Sequence, residues 1–216
     1  MADGKKTKGG GAVAAGCQLY LSIPADFAGD ISLVEAALAA GRVPSLLVLG
    51  AGTSQQLQPM RDAAHRQNAA LLVENDIALA KSLGADGVHL RADGPSAAEA
   101  REALGPDGIV GADSALFRHD AMALGEAGAD YIAFGANAES LDDLADMIDW
   151  WSGLIEIPCA VWLPAGADHD VLGRLVAAGA DFVMLGPEIW AEPSATREWV
   201  QQAALICGIE RARAVS

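Results

Sequence analysis

Four carboxylates, Glu74, Asp76, Asp93 and Asp113, lie at the ends of short apolar runs. Hard cations bind through several oxygens of this kind, so Asp76 and Asp93 are candidate Mg2+ ligands. Glu74, Asp113 and Ser114 are the candidates for acid/base or polar work, and Arg91 is the cation placed to meet a substrate. A plainer reading stands beside this one: Asp76 and Asp113 each sit where a helix N-cap is expected. His89 lies between Val88 and Leu90 and reads as a hydrogen-bonded core residue. His65, His119 and His169 show no metal-ligand spacing.

The elements that must position these residues follow a repeated phrase. Helical composition, then Gly-Ala-Asp, then a short apolar run appears at Asp76–Leu90, Asp120–Phe134 and Asp170–Leu185. Its glycines, Gly84, Gly128 and Gly179, recur at intervals of about fifty residues, and self-similarity on that scale fixes an architecture before any local reading does. Glycine supplies the left-handed backbone that ends a helix, and the next strand begins at once. The expected strands are 18–23, 45–49, 69–74, 87–90, 109–112, 131–134, 159–163 and 182–185. The expected helices are 31–40, 55–67, 77–83, 96–104, 115–127, 141–151, 171–178 and 196–206. Gly41 is expected to close the first helix, and Ser96 with Glu99 forms a capping box.

Eight strands alternating with eight helices predict a parallel (β/α)8 TIM barrel over 17–208, with a disordered tail at 1–16 and a frayed end at 209–216. A doubly wound sheet fits less well, because no Gly-rich fingerprint follows the first strand. In a barrel the chemistry lies at the carboxyl ends of the strands. Those ends supply Glu74-Asn75-Asp76, Arg91 and Asp93, Asp113-Ser114, Gly135-Ala136-Asn137, Pro164-Ala165-Gly166 and Gly186-Pro187-Glu188.

Composition narrows the partners. With 14 basic and 29 acidic residues the net charge is −15, which argues against nucleic acid and acidic membranes. No apolar run reaches the length of a membrane span. Cys17, Cys159 and Cys207 lack paired spacing and read as reduced thiols of a cytoplasmic protein. Ala14-Ala15-Gly16-Cys17 has the look of a lipoprotein cleavage box, but the apolar segment before it is too short for a signal peptide. Trp150, Trp151, Trp162, Trp190 and Trp199 crowd the last third, as outer-layer packing or as the contact of a homodimer.

Leu71-Leu72-Val73-Glu74-Asn75-Asp76 followed by Leu83-Gly84-Ala85-Asp86-Gly87-Val88-His89-Leu90 resembles the thiamine phosphate synthase family. The likeness runs from about Gln18 to Ile189 and includes Gly128–Gly135 and Gly179–Val183. It implies a Mg2+-dependent transferase that joins an aminopyrimidine diphosphate to a thiazole phosphate and releases diphosphate. On the matching positions it implies that Asn75 binds the diphosphate, Asp76 is a metal ligand, and Gly135 lines the substrate site. Other motif positions depart from the family. Ile77 replaces an arginine; Ala92-Asp93-Gly94 replaces Gln-Glu-Asp, placing the acid one residue early; and Asp113 replaces a serine. Gly50–Thr53 carries none of the expected basic residues, and Ala136–Ser140 lacks the Thr-x-Thr-Lys loop, with an acid, Glu139, and no base. Leu163-Pro164 replaces a Gly-Gly pair that offers amides to the thiazole phosphate. Pro187 stands where a serine is expected and has no N–H. Past the tail Lys81 is the sole lysine, so the expected mouth is acidic. The expected function is that of a divergent thiamine phosphate synthase homologue acting on small phosphorylated ligands. The alternatives are a different activity at the same face and a barrel with a binding or regulatory role.

Overall fold

A computed structural model describes residues 16–214 except Asn137, with side chains through residue 208. The strands are β1 (Gln18–Pro24), β2 (Ser45–Leu49), β3 (Ala70–Glu74), β4 (Gly87–Leu90), β5 (Ile109–Asp113), β6 (Tyr131–Phe134), β7 (Cys159–Trp162) and β8 (Phe182–Leu185). The helices are α1 (Ile31–Gly41), α2 (Ser54–Arg66), α3 (Ile77–Leu83), α4 (Ala97–Leu104), α5 (Arg118–Glu126), α6 (Leu141–Leu154), α7 (His169–Ala177) and α8 (Pro193–Ala214). A 3-10 turn, Pro187–Trp190, lies between β8 and α8. Each strand pairs in parallel with the next, and β8 returns to β1 through Gln18–Phe182 and Leu21–Leu185. This is the closed TIM barrel expected from the repeat.

Strand alternation divides the core into two shells. Leu19, Leu21 and Ile23 of β1, with Leu71 and Val73 of β3, face the helices in one large apolar layer. The alternate positions, Tyr20, Leu47, Leu72, Tyr131, Ala133, Ala160, Trp162 and Met184, pack together inside the barrel. Trp162 is therefore interior and not part of the outer layer expected for the late tryptophans. Trp151 and Trp190 are buried in that outer layer, and Trp150 and Trp199 pack against it.

The repeat has a mechanical explanation. Gly84, Gly128 and Gly179 all have positive φ, which ends each helix at small steric cost. The aspartate two residues later reaches sideways to the preceding strand. Asp86 accepts from Leu71 N at 2.8 Å, Asp130 from Val110 N at 2.8 Å, and Asp181 from Cys159 N at 3.0 Å. Each carboxylate thus satisfies a backbone donor at the amino-terminal end of a neighbouring strand, where an unpaired N–H is costly. The Gly-Ala-Asp phrase holds strands in register at the end of the barrel away from the chemistry.

Several boundaries differ from the sequence reading. Arg42, not Gly41, takes the left-handed conformation that closes α1, at φ 50°. α5 begins at Arg118 behind Phe117, so Asp113 is the last residue of β5 and caps no helix. α8 runs from Pro193 and its backbone stays helical to Ala214, past the expected end at Ile206 and into the segment expected to fray. The expected tail, 1–16, lies outside the described residues except for Gly16.

Candidate active site

The carboxyl end of β3 supplies three consecutive residues with three different fates. Glu74 points across the mouth: Gly50 N donates to its Oε2 at 2.8 Å, and Arg91 Nη1 donates to its Oε1 at 3.3 Å. Asn75 takes a left-handed backbone, φ 54°, a conformation Asn tolerates better than most residues. Its Oδ1 accepts from Arg91 N at 2.7 Å and its Nδ2 donates to Asp93 Oδ1 at 3.1 Å. A β-carbon at Gly94 would collide with the Asn75 amide, so that glycine is what lets the loop after β4 close over it. Asp76 is exposed, and its Oδ1 accepts from Leu79 N at 2.8 Å as the N-cap of α3.

Behind the mouth lies a buried polar chain. His89 is fully buried inside the barrel, as its place in the strand suggests. Its Nδ1 is 2.8 Å from Tyr131 Oη and its Nε2 is 3.0 Å from Asp113 Oδ1. Tyr131 in turn donates to Tyr20 Oη at 3.1 Å, and Trp162 Nε1 donates to Asp113 Oδ1 at 2.8 Å. Burial pushes the phenols of both Tyr20 and Tyr131 upward, so both stay neutral at physiological pH. Gly111 makes the chain sterically feasible, since a β-carbon there would overlap the Tyr131 ring. Asp113 Oδ2 is buried without a hydrogen bond and lies 3.7 Å from Arg91 Nε.

These contacts bring most of the expected residues together. Arg91, Asp93, Asp113, Ser114 and Gly135 line one cavity of about 380 Å³ at the carboxyl ends of β4–β6. Gly135, at φ 94°, has no room for a side chain between Leu144 and the Trp162 carbonyl. Ser114 gives its hydroxyl proton to the Ala115 carbonyl at 2.9 Å, so its oxygen is not aligned with a base. Glu74 and Asn75 support the cavity from one side, and Asp76 is turned toward α3. The Arg118 guanidinium lies 4.4 Å from the centre of the Trp150 ring. Tyr20, Tyr131 and Trp162 were not identified as site residues from sequence. Their signal was an inward position in the strand alternation, on the same side as His89.

Among the described residues the mouth is acidic, with Arg91 as its cation. Arg91, 34% exposed, lies between Glu74 at 16% and Asp113 at 10%. Among the described residues no group of three or more His, Cys, Asp or Glu is placed to hold a metal ion. Asp76 and Asp93 each have one oxygen in an internal hydrogen bond and one outside it. Mg2+ is commonly held by one or two carboxylates together with substrate phosphates. The donor set therefore fits an ion that arrives with a diphosphate, and does not fit one caged by protein alone.

The comparisons with known proteins agree with this architecture. The family model described as thiamine monophosphate synthase matches residues 28–189. A thiamine-phosphate synthase of Erythrobacter litoralis is 37% identical over 87% of this chain and 95% of its own length. One of Hyphomonas neptunium is 34% identical over 80% of this chain and 86% of its own length. In fold, the chain superposes on the thiamine phosphate pyrophosphorylase of Pyrococcus furiosus with a TM-score of 0.74, at 18% identity, over 92% of this chain and 97% of that one. No helix among the described residues is long and apolar enough to cross a membrane. The chain belongs to the thiamine monophosphate synthase family.

Proposed function

We propose that this chain is a divergent thiamine phosphate synthase. It binds a small phosphorylated ligand in the cavity around Arg91 and joins an aminopyrimidine diphosphate to a thiazole phosphate at a residual rate. The observation that carries this reading is the engagement of Arg91. The Arg91 guanidinium at the mouth already donates to Glu74 and lies beside Asp113. A departing diphosphate needs several charge-assisted partners, and removing even one such donor from an active site costs about 100- to 1,000-fold in rate.

The geometry supports the following roles within the site. Arg91 offers its guanidinium to the anionic end of the ligand, and Asn75 fixes the loop that carries Arg91 and Asp93. Gly135 contributes backbone to the cavity wall. Asp76 and Asp93 would hold Mg2+, which when bound offsets charge on the diphosphate. His89 and Trp162 hold Asp113 in place at the cavity floor. A cytoplasmic location suits biosynthetic chemistry of this kind. A barrel that binds without turnover is the second reading, favoured by the internal use of Asn75 and Arg91.

The test is a direct assay of thiamine phosphate formation with Mg2+, run beside the Erythrobacter litoralis relative. The expected rate is at least about 1,000-fold lower. A rate within about tenfold of the relative overturns the proposal, whereas binding with no detectable product favours the second reading. Asp76→Asn is the matched variant, because Asn is as good an N-cap as Asp and α3 is preserved while the charge is lost. Calorimetry should show Mg2+-dependent binding of the pyrimidine diphosphate to the parent protein and Mg2+-independent, weaker binding to the variant. An unchanged metal response removes Asp76 from the site.

A further inference from the structure

The end of the barrel away from the mouth holds a cavity of about 200 Å³. Four residues that line it, Ser45, Ile109, Tyr131 and Phe182, are the first residues of β2, β5, β6 and β8. Asp130 and Pro158, which directly precede β6 and β7, complete the opening. Tyr20 and Leu72 are each the third residue of their strand, and both are buried, so they form the inner wall. The lining is therefore mostly apolar and aromatic.

A few polar groups interrupt it, and two of them have hydrogen-bonding capacity to spare. Tyr20 Oη accepts from Tyr131 Oη at 3.1 Å, but among the described residues its own proton has no acceptor. The Ser45 hydroxyl makes no hydrogen bond among the described residues. Leaving such capacity unused beside a buried space is unfavourable, and a ligand hydroxyl would use it. Asp130 is already committed: its Oδ2 accepts from Val110 N at 2.8 Å and pairs with Arg101 Nη2 at 2.5 Å. Among the described residues no cation lines the cavity. An anion placed here would lose its water beside a carboxylate and gain no partner. Apolar cavities of about 150 Å³ already accept a benzene-sized ring, and aromatic walls favour edge-to-face packing. We infer that this cavity is a binding site for a single neutral aromatic ring carrying a hydroxyl group, a phenol in chemical class. The ring packs among Leu72, Tyr131 and Phe182, and its hydroxyl engages those of Tyr20 and Ser45. The inference goes beyond the reading of the Arg91 cavity and concerns the opposite end of the barrel, so the two can fail separately.

The chain has two tyrosines, and both line this cavity, so they report on it directly. The full chain, isotope-labelled on its tyrosine rings, is titrated with phenol, toluene and benzoate and followed by NMR. Phenol should shift the Tyr20 and Tyr131 ring signals to saturation, and benzoate should leave them in place. Tyr20→Phe combined with Ser45→Ala should weaken phenol about fivefold, read on Tyr131, because a hydrogen bond is lost. The same double substitution should leave toluene binding unchanged, which shows that the cavity and the fold are intact. Tyrosine signals indifferent to phenol, benzoate binding as tightly as phenol, or phenol binding unaffected by the double substitution would each overturn the inference. So would an equal loss of phenol and toluene, since that would make the hydroxyls packing groups only.

Discussion

At the scale of single residues, the mouth of this barrel is decided by competition for one guanidinium. Glu74 receives bonds from both Gly50 N and Arg91, and Asp113 approaches Arg91 from the other side. Releasing Arg91 from a partly exposed ion pair is worth up to about 1 kcal/mol, or about fivefold in affinity. Glu74→Gln keeps an acceptor for the Gly50 amide and removes the competing charge. It should tighten pyrophosphate binding about fivefold, while Arg91→Ala should abolish it, both measured by calorimetry at fixed salt. Equal affinities in the parent and Glu74→Gln proteins would show that the pair does not limit the site. The acidic mouth facing Arg91 was legible in the sequence, but the pairing itself was not. Glu74, Arg91 and Asp113 come from three strands, and only strand register sets the distances among them.

At the scale of elements, the sequence was informative wherever a local rule decides the outcome. The capping box at Ser96 and Glu99 is present, with Glu99 N donating to Ser96 Oγ at 3.2 Å and Ser96 N donating to Glu99 Oε2 at 2.8 Å. Four of the eight strand ranges, β2, β4, β6 and β8, match the sequence reading residue for residue, because short apolar runs after Gly-Ala-Asp or similar turns leave little freedom. The start of α5 was misread because Asp113 looks like a cap, whereas the chain continues β5 and reaches the helix only after Phe117. The caps also carry a pH dependence. Backbone and side-chain bonds from Ser32 hold the Asp30 carboxyl below its usual range, and those from Ser96 do the same for Glu99. A carboxyl depressed in the folded state stabilises above its unfolded pKa, and that stabilisation is lost as pH falls through the folded value. Melting temperature should therefore drop below about pH 4. Asp30→Asn and Glu99→Gln should each show a shallower acid-side decline than the parent. Ser96→Ala, which breaks the box from the other side, should cost about 1 kcal/mol at neutral pH. A melting profile in which these variants follow the parent at every pH would remove the caps from the acid response.

At the scale of the whole molecule, closing eight strands into a barrel brings the carboxyl ends together, and with them the residues selected from sequence. The repeat and its alternation were enough to find the barrel and the face that works. They could not separate the chemical residues from the scaffold. The Gly-Ala-Asp aspartates that mark the family so clearly tie strands together at the opposite end. The inward Tyr20, Tyr131 and Trp162, which complete the network under Asp113, carry no motif. A net charge of −15 spreads over this closed shape and bears on the Arg91 cavity. The summed field of like charges slows the approach of anions and speeds that of cations, and salt screens it over about 10 Å at 0.1 M. Raising salt from about 10 mM to about 300 mM should therefore speed pyrophosphate association with the Arg91 cavity. Stopped-flow tryptophan fluorescence follows the encounter. If the rate falls as salt rises, the local charge of Arg91, and not the field of the whole molecule, controls which ligands reach this face.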